Sequence, residues 1–257
     1  MRFTVDIFLS GNPPFAIPTN YRRNIASLIK EALNRENPEL YNWLYGTNIG
    51  KPFTFCVHIP FAEHVKEKTN SFLKFDGHPI KLTVSSSDDA LLINIYNALL
   101  NISGKYSPFE NCRGVMGNVI MKNFHLQKSP VFSDTEYMFR LMSPMIVRNM
   151  NYKSEGNKNS KGTSYLTIDD KDFTDNLFHS VMHQCKEFIS SDFVMNKEDF
   201  VFTPVGCKTI KVFHYNEAIP AVTGMFTLFA MPDVLKLIFN AGIGARRSQG
   251  FGMVEVK

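Results

Sequence analysis

Near the end of the chain, Gly242, Gly244, Gly250 and Gly252 bracket Arg246, Arg247, Ser248 and Gln249, and an apolar run follows from Phe251. Glycine permits close backbone approach and positive φ. Bare N–H groups in such a loop form an anion-binding concavity, and adjacent guanidinium groups add forked donors that suit phosphate. The spacing fits a polyanion cradle. It fits equally a structural glycine turn between a helix and a strand. A dinucleotide fingerprint is excluded by order: that motif follows a strand, opens a helix and meets an acidic partner about 20 residues on. Here the glycines follow the helical stretch Pro232–Asn240, and only a short strand-like run remains. The Gly-Lys-Ser/Thr of a nucleotide P-loop is also missing.

Other polar residues carry weaker signals. Arg22 and Arg23 open a helical pattern and could contact phosphate or simply form a solvated helix end. His179 and His183 lie four apart, a chelating spacing on a helix. They lack the intervening Glu of a zinc-protease motif and an obvious third ligand, so a helix face is expected. His58 sits in an alternating run that would put it on the same face as Cys56. The four cysteines, Cys56, Cys112, Cys185 and Cys207, are far apart and form no Cys-x-x-Cys pair. Buried free thiols in a reducing cytoplasm are expected, with no metal and no cofactor.

These residues need a scaffold of some size. With 257 residues and 44% hydrophobic content, the chain can form one large domain or two of ordinary size. A net charge of +4 is mildly basic, so nucleic-acid binding would require local clustering of charge. The charged N-terminus does not read as a signal peptide, and no apolar run nears the roughly 18 residues of a membrane span.

Hydrophobic periodicity supplies the elements. Residues Arg2–Leu9 alternate as a strand, Pro13, Pro14 and Pro18 read as a connector, and Asn20–Arg35 carries a helical stripe through Ile25, Leu28, Ile29, Ala32 and Leu33. Strands are expected over Phe53–Pro60, Pro79–Ser86 and Gly117–Leu126. A helix over Ala90–Leu100 is capped by Ser87 and two aspartates. This is the β-α-β-β-α-β order of a ferredoxin-like domain. The second half repeats it: an opening strand in Glu136–Val147, a helix over Phe173–Ile189, strands at Lys208–His214 and Ala221–Met231, a short helix over Val234–Asn240, and the last strand. Between them, the polar stretch Asn151–Lys161, with Lys153, Lys158 and Lys161, reads as a mobile loop. The expectation is an α+β chain of two tandem ferredoxin-like domains, RAMP/RRM-like, over residues 1–132 and 133–257.

This organisation, closed by Gly242-Ile243-Gly244-Ala245-Arg246-Arg247-Ser248-Gln249-Gly250-Phe251-Gly252, resembles the CRISPR-associated RAMP superfamily. Within it the chain looks like the CRISPR RNA-processing endoribonucleases, the Cas six family. Met1-Arg2-Phe3, Ile17-Pro18 before Tyr21-Arg22-Arg23, Asn37-Pro38 at the end of the first helix, and Ser143-Pro144 are similar too, and Gly250-Phe251-Gly252-Met253-Val254 is nearly the family consensus. The resemblance implies a cytoplasmic, metal-independent endoribonuclease. It would bind CRISPR repeat RNA in precursor transcripts and cut it by 2′-hydroxyl attack, leaving a 2′,3′-cyclic phosphate. The implied RNA-binding set is Arg22, Arg23, Gly242, Gly244, Arg246, Arg247 and Ser248. Other Cas proteins of an interference complex and a second copy of the chain are the implied protein partners.

The chain departs from the family pattern at the catalytic centre. The histidine that many members carry after the first helix falls at Tyr45, the helix tyrosine falls at Lys30, and the lysine beyond is retained as Lys51. The candidate catalytic set is therefore Lys30, Tyr45 and Lys51. The departure also supports an alternative, a RAMP protein that binds repeat RNA with weak cleavage or none.

Overall fold

The computed structural model describes residues 1–67, 70–150, 164–215 and 217–257. The expected loop at Asn151–Lys161 lies outside them. In chain order, the N-terminal half contains β1 (Arg2–Phe8), β2 (Gly11–Pro18), α1 (Arg22–Glu36), α2 (Pro38–Gly46), β3 (Phe53–His58), β4 (Glu63–Glu67), β5 (Asn70–Phe75), β6 (Ile80–Ser86), α3 (Asp89–Ile102), β7 (Arg113–Val115) and β8 (Ile120–Gln127). The C-terminal half contains β9 (Glu136–Leu141), β10 (Val147–Arg148), β11 (Tyr165–Leu166), α4 (Phe173–Phe188), β12 (Val201–His214), β13 (Glu217–Phe229), α5 (Pro232–Ala241) and β14 (Val254–Val256).

Each half builds one four-stranded antiparallel sheet, ordered β3-β6-β1-β8 in the first and β12-β13-β9-β14 in the second. Numbering the strands of each sheet along the chain gives 2-3-1-4 both times, the ferredoxin-like arrangement, with α1 and α3, or α4 and α5, as the two crossovers. The α+β, two-domain expectation therefore describes the molecule. Alternation drives the pairing: Phe3, Val5 and Ile7 of β1 are fully buried. The helical stripe Ile25, Leu28, Ile29, Ala32 and Leu33 buries α1 against the same core.

The structure adds elements that the sequence reading did not give, among them the short β10–β11 pair. The proline connector is strand β2, which joins β4, β5 and β7 in a second sheet of order β4-β5-β2-β7. Proline is tolerated there because Pro13 and Pro14 fall within a register shift, where ladder donors are not needed. Asn37-Pro38 ends α1 and also starts a helix, α2. The Asn37 side chain accepts from Leu40 N at 3.0 Å, and Pro38 occupies the first turn, where its missing N–H costs nothing. Of the expected cap of Ser87 with two aspartates, it is the Asp88 side chain that caps α3, accepting from Leu91 N at 3.0 Å.

The two halves are joined by buried polar contacts. Arg2 of β1, 4% exposed, donates to the carbonyls of Phe239 (2.9 Å) and Val254 (2.8 Å), and its guanidinium lies 4.0 Å from the centroid of the Phe239 ring. Burial lowers its pKa to about 10, and Cys56 and Glu255 act against that; the guanidinium remains charged at neutral pH. Thr54 of β3 donates to the Phe251 carbonyl at 2.9 Å. Among the described residues, no helix is long and apolar enough to cross a membrane.

Candidate functional site

Helix α1 presents Lys30 at the edge of its buried stripe. Helix α2 returns Tyr45 towards it, and the connection to β3 brings Lys51. The structure gathers all three: the Lys30 Nζ lies 4.8 Å and the Lys51 Nζ 5.1 Å from the centroid of the Tyr45 ring. Tyr45 also packs against Tyr41, with centroids 5.2 Å apart. The electronegative ring face attracts both ammonium groups. Their shared position has an electrostatic consequence. Lys51 is shifted below the usual lysine range, first by burial and then by the Lys30 ammonium, with Glu187 opposing. Tyr45 moves the other way, because burial and then Tyr41 disfavour the phenolate. It stays protonated well beyond neutral pH and is a donor, not a base.

The glycine-rich loop leaves α5 and runs under the N-terminal domain before entering β14. Its glycines are buried. Gly252 has φ +69, and a methyl there would overlap the Ile243 carbonyl. Gly250 has φ +87, and a Cβ would come within 2.6 Å of the Phe55 ring. Gly242 and Gly244, both in the expected RNA-binding set, have their Cβ space occupied by protein: Thr54 and the Gly252 carbonyl at the first, the Ile146 carbonyl at the second. The Ser143-Pro144 pair belongs to the same construction, since Gly252 N donates to Pro144 O (2.9 Å) and Met253 N to Ser143 Oγ (3.0 Å).

The loop's polar side chains, Arg246 to Gln249, remain partly accessible, whereas Ile243 and Phe251 are fully buried. Arg246 donates from Nε to the Tyr165 hydroxyl (2.8 Å) and from Nη1 to Gln249 Oε1 (3.2 Å). Arg247 donates to Gly244 O at 2.9 Å and lies 5.9 Å from the Phe188 ring. Burial lowers its pKa to about 10, with Glu187 opposing, so the guanidinium stays charged at neutral pH. Arg22 reaches across from α1 to the Gly250 carbonyl (3.2 Å) and lies over Phe251, whereas exposed Arg23 covers Tyr215 at 5.4 Å. Ser248, in the 3₁₀ turn Arg247–Gln249, is half-buried.

A cleft of about 500 Å³ between the halves is lined by Asn48, Ile49 and Gly50 on one side and by Arg148, Arg246 and Arg247 on the other. Lys51 follows Gly50 directly. Exposed Arg148 of β10 and Glu187 of α4 were not singled out by sequence reasoning. Glu187 accepts the Gly50 N–H across 137 residues of chain, a pairing that no local pattern signals.

Of the histidines, His183 lines the cleft, with its Nδ1 3.9 Å from the Glu187 carboxylate. His58 is exposed at the end of β3 although Cys56 is buried, so the two do not share an environment. His179 and His183 are exposed on α4. His214 is 2% exposed, and its Nε2 donates to Gln249 Oε1 at 2.7 Å. Among the described residues, no group of three or more His, Cys, Asp or Glu side chains is arranged to hold a metal ion.

Comparison with known proteins supports this architecture. Residues 127–256 match the family model for the C-terminal part of CRISPR-associated protein Cas6. No curated protein matches the chain. Among solved structures, the chain is similar to the product of a Cas6-related gene from Pyrococcus furiosus (20% identity, TM-score 0.79, covering 100% of this chain and 98% of that one). It is similar to a RAMP protein that binds different RNA substrates (19%, 0.79, 100% and 99%). It is also similar to a Cas6 in a product complex (17%, 0.66, 100% and 99%). At such identities the structural likenesses establish the fold.

Proposed function

The chain belongs to the Cas6 family, and from that premise we propose that it is a metal-independent endoribonuclease that binds CRISPR repeat RNA in precursor transcripts and cuts it to give mature guide RNAs. The observation that carries the reading is the Lys30–Tyr45–Lys51 cluster, beside a cleft lined by Arg148, Arg246 and Arg247. In the proposed reaction, Lys51 in its neutral form takes the proton of the 2′-hydroxyl. The 2′-oxygen attacks the adjacent phosphorus, and the bond from phosphorus to the 5′-oxygen breaks. Lys30, protonated, offsets the charge of the phosphorane and delivers a proton to the departing 5′-oxygen. Tyr45 holds both lysines on its ring and donates a hydrogen bond. The lowered pKa of Lys51 supports its role, since a base working near neutral pH must lose its proton there.

The RNA backbone would cross the cleft on Arg148, Arg246 and Arg247, with Arg22, Arg23 and Ser248 beside it. Gly242 and Gly244 would act by holding the loop's path. Other Cas proteins, or a second copy of the chain, are proposed partners on the same family ground.

A second reading is an RNA-binding RAMP protein that does not cut. It is favoured by Tyr45, whose raised pKa denies the centre the exchangeable proton that a histidine would give. One experiment separates the two. Labelled repeat RNA incubated with the protein in EDTA is expected to yield a product ending in a 2′,3′-cyclic phosphate. A single 2′-deoxy substitution at the scissile nucleotide is expected to abolish cutting. Cleavage of the deoxy substrate overturns the mechanism, and tight binding without cleavage over hours selects the second reading.

A further inference from the structure

Trp43 is the single tryptophan of the chain, and it is 50% exposed. It stands on α2, two residues before Tyr45. An apolar aromatic of this size is normally covered. Here it lines a slot of about 350 Å³ together with Ile49, Pro52 and Phe188. That volume is at the lower end of the range of about 300–1,000 Å³ for small-ligand pockets. Two carboxylates, Asp88 and Glu187, also face the slot.

The slot and the arginine-lined cleft meet at one strip of chain: Ile49, Gly50 and Glu187 line both. Lys51 sits between Gly50, which lines both, and Pro52, which lines the slot. The two spaces differ in chemistry. The cleft presents three arginines and suits phosphate. The slot has aromatic and aliphatic walls, and its polar rim carries acceptors. Asp88 caps α3 and Glu187 accepts from Gly50, so both are fixed in place. Among the described residues lining the slot, no lysine or arginine offsets these carboxylates as the arginines offset Glu187 in the cleft, so the rim repels a phosphate and accepts hydrogen bonds from exocyclic amines.

We propose that this slot receives a single unpaired nucleobase adjoining the scissile phosphate, stacked on the Trp43 indole. Trp43 is thereby a positioning residue for cleavage: it fixes the flanking nucleotide so that the phosphate falls beside Lys51. The proposal rests on the RNA-binding reading above and deepens it. Base–aromatic stacking tolerates every base because each has a π-face. The acceptors on the rim favour adenine, cytosine or guanine over uracil, which has no exocyclic amine.

The chain supplies its own reporter. CRISPR-repeat RNA carrying a 5′ fluorophore is titrated into the intact protein while anisotropy of the label and emission of Trp43 are read together. Binding is expected to quench Trp43 along the same isotherm. An abasic substitution scanned along the RNA is expected to remove the quench at one position only. Trp43→Ala is expected to weaken binding about tenfold, a loss within the range for one stacked base, and to slow cleavage further at saturating RNA. Trp43→Phe is expected to restore most of both. RNA that binds by anisotropy without quenching, or quenching that no abasic position removes, overturns the slot proposal and leaves the RNA-binding reading standing. Absence of binding by anisotropy overturns both.

Discussion

The two domains share one strand order but use the segment before the final strand in opposite ways. In the N-terminal domain, the chain between α3 and β8 turns away to form β7 in the accessory sheet. In the C-terminal domain, the corresponding stretch between α5 and β14 is the glycine-rich loop, and it packs into the other domain against α1 and β3. The first domain thus gathers long titratable side chains from α1, α2 and the connection to β3, next to the strip Asn48–Gly50 that lines the cleft. The second offers a backbone path with arginines along its outer side. A glycine-rich stretch that looks like a ligand cradle is, in this protein, first a close-packed joint. Arg246 and Arg247 line the cleft beside Gly244, while Gly250 and Gly252 pack against Phe55 and the Ile243 carbonyl.

The sharpest way to break this comparison is a methyl group. Gly252→Ala places a Cβ on the Ile243 carbonyl at a positive φ. Strain and overpacking together are expected to cost about 2–4 kcal/mol, read as a fall in the urea midpoint. Gly46→Ala, in α2, meets no atom within 4 Å, and is expected to be neutral or stabilising by up to about 1 kcal/mol. Equal responses at the two glycines would mean that the terminal loop is not the joint described here.

Next in size is the division of labour between the domains. Lys51→Ala is expected to slow cleavage about 100-fold, the lower end for a lost proton-transfer group, with little change in RNA affinity. Lys51→Arg keeps the charge but cannot give up its proton at neutral pH, so it is expected to bind normally and not to recover the rate. Arg247→Ala is expected to do the reverse, weakening binding and reducing the salt slope by about one counterion. If Lys51→Arg cuts as the parent does, Lys51 acts through its charge alone.

How much of this could be read in advance follows from the range of each signal. The stripe of α1 and the alternation of β1 are local, and both are visible in a few residues. Helix α2 was hidden because Asn37-Pro38 reads first as a stop; its role as cap and first turn emerges only when the chain continues as a helix. The accessory sheet was hidden by Pro13, Pro14 and Pro18, which argue against a strand until a register shift is known. The lysines and Tyr45 were reachable through the family resemblance, whereas Glu187 on Gly50 joins residues too distant for any pattern. The loop's composition was legible, but its burial was not: whether a glycine faces a ligand or a phenyl ring is a tertiary fact.

The smallest expected effect tests the joint through its one buried imidazole. His214 ends β12 and packs edge-on against Phe251 of the loop, with centroids 5.1 Å apart. Its Nε2 donates to Gln249, while Nδ1 is buried without a hydrogen-bond partner among the described residues. Burial lowers its pKa below the ordinary 6.5; the Gln249 contact opposes this, and Arg246 and Arg22 reinforce it. A histidine with a depressed folded pKa remains neutral in the native state while the unfolded chain takes up a proton. Stability is therefore complete above about pH 6.5 and declines as pH falls from there towards the folded pKa, with a slope no steeper than one proton allows. Thermal unfolding between pH 7.5 and 5.5 should show this decline in the parent and a flatter profile in His214→Gln, which cannot titrate. Matching profiles would mean that protonation at this position does not reach the joint, and that its acid sensitivity arises from other groups.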